Sequence, residues 1–382
     1  ELLGQQRGGN IYIIPIVGAI IAVDAITSIQ FAQLRERADV GRFMKIKIVG
    51  VVTNFALCIG FYSLLPYIES KGINCTLWNE NFGVGYVFVS NLCASLIAMI
   101  MLSKRCSNFR FKVDKKVLKA VMVFSIPIFI GGLAGTSNDF IDRQLLYFIL
   151  PEGEATQQMG IYSAVMKLGA FIYLFTQMYR YAAEPYFLSE VKESDFLQRN
   201  AEALKYFTIA SLAIFLFITL FIDYFQYFIG EDFRSGIKIT PIILITNVLF
   251  GVYINLSYWY KIKEKSMIAI YISLSGLIVT IILNIILVPK FGYVGSAIGR
   301  LACFLTMVII GYILNQKYMK TPYDIKSLAK YFMLTILLLA LFNILNFEGL
   351  VVKTMFSIIF FAIFVAYFSY QESIFKRLKR KQ

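Results

Sequence analysis

The sequence contains no histidine. That absence removes Ser-His-Asp and Cys-His catalysis, imidazole metal ligation and histidine-based proton switching together. Charge is scarce too: charged residues make up 16% of the 382 positions, against about a quarter in ordinary soluble domains. With 58% hydrophobic residues and a mean hydropathy of +0.69, the chain has too little polar surface to cover a water-soluble globule. The five cysteines, Cys58, Cys75, Cys93, Cys106 and Cys303, form no CxxC or other ligand spacing. This argues against a zinc or iron–sulfur site and leaves them as small apolar packing groups. Residues 1–10, which begin at Glu1, lack the charged-then-apolar pattern of a signal peptide.

What is abundant is uninterrupted apolar sequence. Eleven stretches are each long enough to cross about 30 Å of hydrocarbon: 11–31, 46–66, 84–102, 119–141, 157–178, 206–228, 239–259, 267–288, 294–314, 331–347 and 350–369. They are far longer than barrel strands and show no period-2 alternation, so transmembrane helices are predicted. No hydrophilic connection is long enough to hold a soluble domain. The expected fold class is an all-α integral membrane protein.

The basic residues fix an orientation. If the span ending near Phe31 exits into the cytoplasm, the six connections on that side carry 28 of the 37 Lys and Arg, and the five on the other side, with Arg143 left out as part of a span, carry 5. This is a positive-inside pattern. It accounts for the net charge of +14 without nucleic acid, which would need the basic residues on one face. It predicts a cytoplasmic C-terminus, with Lys376, Arg377, Lys379, Arg380 and Lys381 against anionic headgroups. By parity, a cytoplasmic true N-terminus requires an odd number of spans upstream of residue 1. Two segments are weakly alike: Phe82-Gly83-Val84-Gly85 and Phe291-Gly292-Tyr293-Val294 each open a span, and nine residues on Asn91-Leu92-Cys93-Ala94 matches Arg300-Leu301-Ala302-Cys303. Parallel repeats of this kind recur in transporters.

Ile282-Leu283-Asn284-Ile285-Ile286-Leu287-Val288-Pro289-Lys290-Phe291-Gly292-Tyr293-Val294-Gly295-Ser296-Ala297 resembles the junction of the eleventh and twelfth helices of the MOP exporter superfamily. Ser137-Asn138-Asp139-Phe140-Ile141-Asp142-Arg143-Gln144-Leu145-Leu146 and Tyr179-Arg180-Tyr181-Ala182-Ala183-Glu184-Pro185-Tyr186-Phe187 resemble its polysaccharide-transporter branch, the Wzx-type O-antigen flippases of bacteria. The resemblance covers essentially the whole chain. It implies a two-lobe bundle of fourteen helices around a central cavity, of which this chain would hold helices 4–14. Residues 1–110 would then be the rest of the N-terminal lobe (helices 4–6), 111–318 the C-terminal lobe (helices 7–12), and 319–382 two trailing helices with a basic tail. On that map the chain is either a flippase or an N-terminally truncated, inactive fragment of one.

Charges inside spans are costly and usually face a cavity or a partner. Lys167, near mid-bilayer, is an anion contact or one half of a structural pair. Asp139, Asp142 and Arg143 lie on one long helix, where Asp139 and Arg143 can pair four residues apart; Arg143 suits bidentate phosphate binding, and the carboxylates suit proton or sodium sites or a self-satisfied salt-bridge cluster. Arg180, with Glu184, ends the next span as a pyrophosphate contact or an interfacial anchor. Arg300 reaches the lumen or snorkels outward. Asp24, near the middle of the first span and without a local basic partner, is the leading candidate for a coupling ion. Residues 186–205 read as an amphipathic helix on the inner membrane face.

Three functions compete. The first is a flippase carrying undecaprenyl-pyrophosphate-linked oligosaccharide from the inner to the outer leaflet of the bacterial inner membrane. Its partners would be that lipid-linked oligosaccharide, membrane lipids and other glycan-assembly membrane proteins, with no cofactor or metal and a coupling ion that is proton, sodium or none. The second is a cation-coupled, MATE-like exporter of small molecules, whose cavity would be dominated by carboxylates. The third, a membrane glycan polymerase, is disfavoured: there is no histidine and no outer acidic cluster beyond Glu152 and Glu154. No enzymatic activity is expected.

Overall fold

The computed structural model describes residues 13–36, 39–71, 82–103, 114–189, 195–263, 265–345 and 347–372. The described residues are helical, with no strand among them. The described residues of the eleven apolar stretches are almost all helical. Ten helices among the described residues are long and apolar enough to cross a membrane, and the stretch 119–141 lies within the continuous helix Lys115–Ile149.

The chain divides into two compact units, 1–114 and 115–382. The first holds α1 (Ile13–Glu36), α2 (Val40–Ile59) and α3 (Gly85–Ser103). Beyond Ile59, α2 runs on through a π-helical turn, Gly60–Leu64, into Leu65–Ser70. Asp39 caps α2 by accepting from the backbone N–H of Arg42 at 3.3 Å. α3 packs on both other helices, and Phe31, Leu34, Ile46 and Leu102 form a small core at one end.

The second unit holds α4 (Lys115–Ile149), α5 (Glu152–Ser189), α6 (Phe196–Leu220), α7 (Thr240–Leu256), α8 (Ser266–Phe291), α9 (Tyr293–Tyr318), α10 (Ile325–Leu345) and α11 (Leu350–Glu372). α8 is sandwiched between α4 and α9, while α7 links α9 to α5 and α6. The trailing pair α10 and α11 packs on α6 through Leu216, Tyr331, Phe360 and Phe364. One lysine reinforces that seam: Lys205 of α6 pairs with Glu372 at 2.7 Å, and Tyr331 donates to the same carboxylate at 3.1 Å.

The residues of α8 show why a water-soluble pattern was absent. Met267, Tyr271, Leu274, Ile278, Ile282 and Ile285 recur at helical spacing and are exposed, whereas Ser273, Thr280 and Asn284 are buried. Lipid solvates the apolar stripe, so the inward face is free to carry the polar groups that hydrogen-bond across helices.

Among the described residues of 186–205 no separate surface helix occurs. Its first part continues α5 to Ser189, and its last part opens α6 at Phe196. Three of the apolar residues there, Phe187, Phe196 and Leu204, are buried against the unit instead of facing headgroups. The weak internal likeness corresponds to a shared local geometry: Gly83 and Gly292 both sit at positive φ, 43° and 55°, and each precedes a span. Only glycine adopts this region without strain. At the second turn Gln158 of α5 accepts from the N–H of Tyr293 at 2.9 Å and caps α9 from outside.

Candidate functional site

The long helix α4 carries Asn138 and Asp142 one turn apart, and both side chains are buried. Asp142 is fully enclosed. Its Oδ1 accepts from the backbone N–H of Arg143 at 2.8 Å, and its Oδ2 accepts from Tyr162 of α5 at 2.6 Å and from Arg300 of α9 at 3.0 Å. Arg300 also donates to the Asn138 carbonyl at 3.3 Å and lies over the Phe304 ring at 5.5 Å. Ser296, one turn before Arg300, donates to the Asp142 carbonyl at 3.2 Å and contacts Asn284 of α8 at 2.9 Å. Asn138 in turn donates to the Ser273 carbonyl of α8 at 3.0 Å. Four helices thus meet on one polar cluster within an apolar layer. Each charged member is paired, as a low-dielectric surrounding demands.

Beside this cluster is a cavity of about 250 Å³, lined by Phe140 and Arg143 of α4, Met166, Gly169, Ala170 and Tyr173 of α5, Asn247 of α7, and Arg300. It owes its position to close helix contact: a Cβ at Gly169 would fall 2.7 Å from the Asn247 amide nitrogen. The two arginines differ. Arg300 is held by Asp142. Arg143 lies over Phe140 at 5.5 Å and has no ion pair among the described residues, and its Nε is buried without a hydrogen-bond partner. A guanidinium so placed is a ready ligand for a carboxylate or phosphate.

The structure brings together three of the expected residues: Asp142, Arg143 and Arg300. Arg300 does not snorkel, because its ion pair turns it inward. Asp139 is on α4, but its side chain lies outside the described residues. Lys167 does not line the cavity; it is exposed on α5, away from the face carrying Val165 and Leu168. Arg180 lies near the end of α5 over Tyr181 at 5.7 Å, and Glu184 pairs with Lys261 at 2.7 Å. Asp24, in the first unit, is exposed and borders a second cavity of about 230 Å³ with Thr27, Lys47, Asn54, Asn91 and Ser95. Asp24 is thus not without basic company: Lys47 of α2 lines the same cavity. Sequence reasoning missed Tyr162, Ser296 and Asn284. The one available signal was the run of polar residues, Ser273, Thr280 and Asn284, on a single face of an apolar helix. No cluster of metal-ligating residues occurs among the described residues. The cysteines Cys75 and Cys106 and the basic C-terminal cluster lie outside them.

No family profile and no curated protein sequence matches the chain. Solved structures do. The lipid II flippase MurJ, in an inward closed conformation, superposes with a TM-score of 0.69 at 16% identity, over 94% of this chain and 74% of that one. The fold is that of the MOP-superfamily transporters. A MATE point mutant gives a TM-score of 0.55 at 15% identity, over 82% and 69% of the two chains. An inward-facing multidrug resistance MATE transporter gives 0.57 at 16% identity, over 81% and 69%. The chain is therefore a multi-pass helical membrane protein with a MOP-type architecture.

Proposed function

We propose that the chain is a flippase. It moves an undecaprenyl-pyrophosphate-linked oligosaccharide, an O-antigen or other surface glycan unit, from the inner to the outer leaflet of the bacterial cytoplasmic membrane by alternating access. On this reading residues 1–110 belong to the N-terminal lobe, 111–318 form the C-terminal lobe and 319–382 trail it, with the C-terminus cytoplasmic. A pyrophosphate-bearing headgroup cannot cross about 30 Å of hydrocarbon unaided, and it needs cations to replace its hydration. The observation that carries the reading is Arg143, a membrane-embedded guanidinium with an unpartnered buried Nε, beside Arg300 in one cavity. Burying such a charge costs about 2.5–3.5 kcal/mol even on insertion scales, a cost that an anionic cargo offsets. Phe140 and Tyr173 add aromatic faces on which a sugar ring can rest. Lys167 and Arg180, along α5, offer further cationic contacts outside that cavity. The fold neighbours include a flippase for lipid II and two MATE transporters.

The test is genetic and chemical. Deleting the gene should leave lipid-linked glycan on the inner leaflet, and a copy carrying Arg143→Gln should not restore export. Normal glycan export in the deletion strain refutes the reading.

A second reading, a cation-coupled small-molecule exporter, draws on the first unit. There Asp24, Asn54 and Asn91 converge on a cavity without ion pairs or hydrogen bonds among themselves. It is favoured if Asp24→Asn abolishes drug resistance while glycan export persists.

A further inference from the structure

A third cavity, of about 500 Å³, lies between the last turns of α5 and the first turns of α6. It shares no lining residue with the cavity beside Arg143. α5 is 38 residues long, roughly 57 Å by its rise, and so overruns a hydrocarbon layer of about 30 Å. α6 opens with Gln198, Arg199, Asn200, Glu202 and Lys205 and turns predominantly apolar after Tyr206. That change of composition puts the cavity at the boundary of hydrocarbon and headgroups, where tyrosine is favoured.

The floor of this cavity is apolar: Ala183 and Phe187 of α5 are buried there, and Ala203 of α6 faces them. Its walls are the rings of Tyr179, Tyr186 and Tyr206. Tyr179 is fixed from behind, since its hydroxyl donates to Asn255 of α7 at 2.6 Å and its ring lies 4.6 Å from that of Phe207. Two opposite charges border the same space, Arg199 and Glu202. They are three residues apart on α6 and so are neighbours on its surface, with about 5–6 Å between their Cβ atoms. Arg199 pairs with Asp195 at 2.7 Å and donates to the Tyr186 oxygen at 2.9 Å, yet its side chain is still 43% exposed. A half-exposed pair of this kind is worth little, so an incoming phosphate can share the guanidinium fork. Glu202 is half-buried and accepts from Gln198 at 3.4 Å, and it has no ion pair among the described residues.

A carboxylate without a counter-ion beside three tyrosine faces is an acceptor for an ammonium group. The guanidinium next to it is a ligand for phosphate. A molecule that satisfies both carries a phosphate and an ammonium joined by a short spacer, and the membrane boundary supplies one. We infer that this cavity binds the headgroup of an ethanolamine phospholipid, with its ammonium on Glu202 and its phosphate on Arg199, while the acyl chains stay in the bilayer. A glycerol headgroup offers hydroxyls but no cation, and leaves the charge of Glu202 unanswered. A serine headgroup sets a second carboxylate against it. The bound headgroup touches α5 through Tyr179 and Tyr186 and α6 through Arg199 and Glu202, so it bridges the two helices at this end. The site is separate from the cavity of Arg143 and Arg300 and does not depend on what the protein carries.

The experiment titrates the full chain, stripped of lipid in detergent, with phosphatidylethanolamine or phosphatidylglycerol of matched acyl chains, and counts bound lipid by native mass spectrometry. The first ethanolamine lipid should bind about fivefold more tightly than the first glycerol lipid, the size of one charge-assisted hydrogen bond. Glu202→Gln should bring that ratio to about one by weakening the ethanolamine lipid alone, and Arg199→Gln should weaken both lipids alike. Soluble glycerophosphoethanolamine at the same concentration should not displace the bound lipid. Equal affinity of the two lipids for the wild type overturns the inference, and this comparison decides alone if a variant does not fold. A preference that survives Glu202→Gln and Arg199→Gln overturns the assignment to this cavity. Displacement by glycerophosphoethanolamine overturns the membrane as the source of the occupant.

Discussion

The buried pair of Arg300 and Asp142 makes a prediction whose size can be worked out. Replacing Arg300 with Gln removes the charged donor at 3.0 Å from a fully enclosed carboxylate. The bonds from Tyr162 and the Arg143 amide remain, but neither neutralises the charge. Removing one member of a buried ion pair costs about 3–5 kcal/mol, mostly for the uncompensated partner. For a unit of this size each kcal/mol lowers the melting temperature by about 2 °C, so Arg300→Gln should melt about 6–10 °C lower near neutral pH. Cys303, fully buried on the turn after Arg300, is a built-in reporter. With the other four cysteines changed to serine, a maleimide fluorophore reports its exposure on heating. Adding Asp142→Asn to Arg300→Gln should recover half or more of the loss, since neither buried charge then remains. The reasoning fails if Arg300→Gln melts within about 1 °C of its parent, or if the double variant is less stable than the single one.

Other outcomes follow from the same structure. Tyr162→Phe deletes the 2.6 Å bond to Asp142 and should cost about 1.5–3 kcal/mol, the range for a hydrogen bond to a charged group, as read by the same melting assay. Gly295→Ala should be severe, about 3 kcal/mol or more, because its Cβ would lie 2.6 Å from the backbone of Leu287, which cannot rotate away. Gly132→Ala, with open space around it, should be neutral or stabilising, so equal effects at the two glycines would refute the packing account. Ile278→Asp, on the exposed stripe of α8, should cost about 3 kcal/mol in a bilayer and reduce the amount of inserted protein. In a water-solvated helix it would cost almost nothing.

Much of this fold is legible in the sequence, and for a simple reason. A span of about 20 apolar residues has no other stable environment, and connections charged on alternate sides orient it. The sequence could not say which face of each helix looks inward, because lipid and protein core are both apolar. α8 illustrates the limit: the rule that apolar residues are buried would place Ile278 inside and Thr280 outside, the reverse of what is found. The site was half legible. Arg143, Asp142 and Arg300 stand out because a charge inside a span is rare. The pairing of Asp142 with Arg300 could not be read, since the two lie 158 residues apart and no local spacing encodes it. The eye is drawn instead to the four-residue spacing of Asp139 and Arg143. Lys167 shows the converse limit. It is as conspicuous in the sequence as Arg143, but the helical phase of α5 turns it away from the cavity that Met166 and Ala170 line.

The difference between the two arginines separates structure from transport. Arg300 holds α9 to α4 and also borders the cavity, so its loss should lower both stability and export. Arg143 contributes a stacking contact with Phe140 and no ion pair among the described residues. Its removal forfeits at most about 1 kcal/mol of cation–π energy and relieves the cost of a half-buried cation that has no ion pair among the described residues. Arg143→Gln should therefore melt at or above the parent temperature while glycan export fails, and Arg143→Lys should restore part of the export because charge returns without the bidentate geometry. A residue kept at a cost to the fold, whose replacement stabilises the protein and stops transport, is one that acts on cargo. If Arg143→Gln instead destabilises the protein by as much as Arg300→Gln, Arg143 is a structural member of the same cluster, and the cavity loses its strongest claim to an anion.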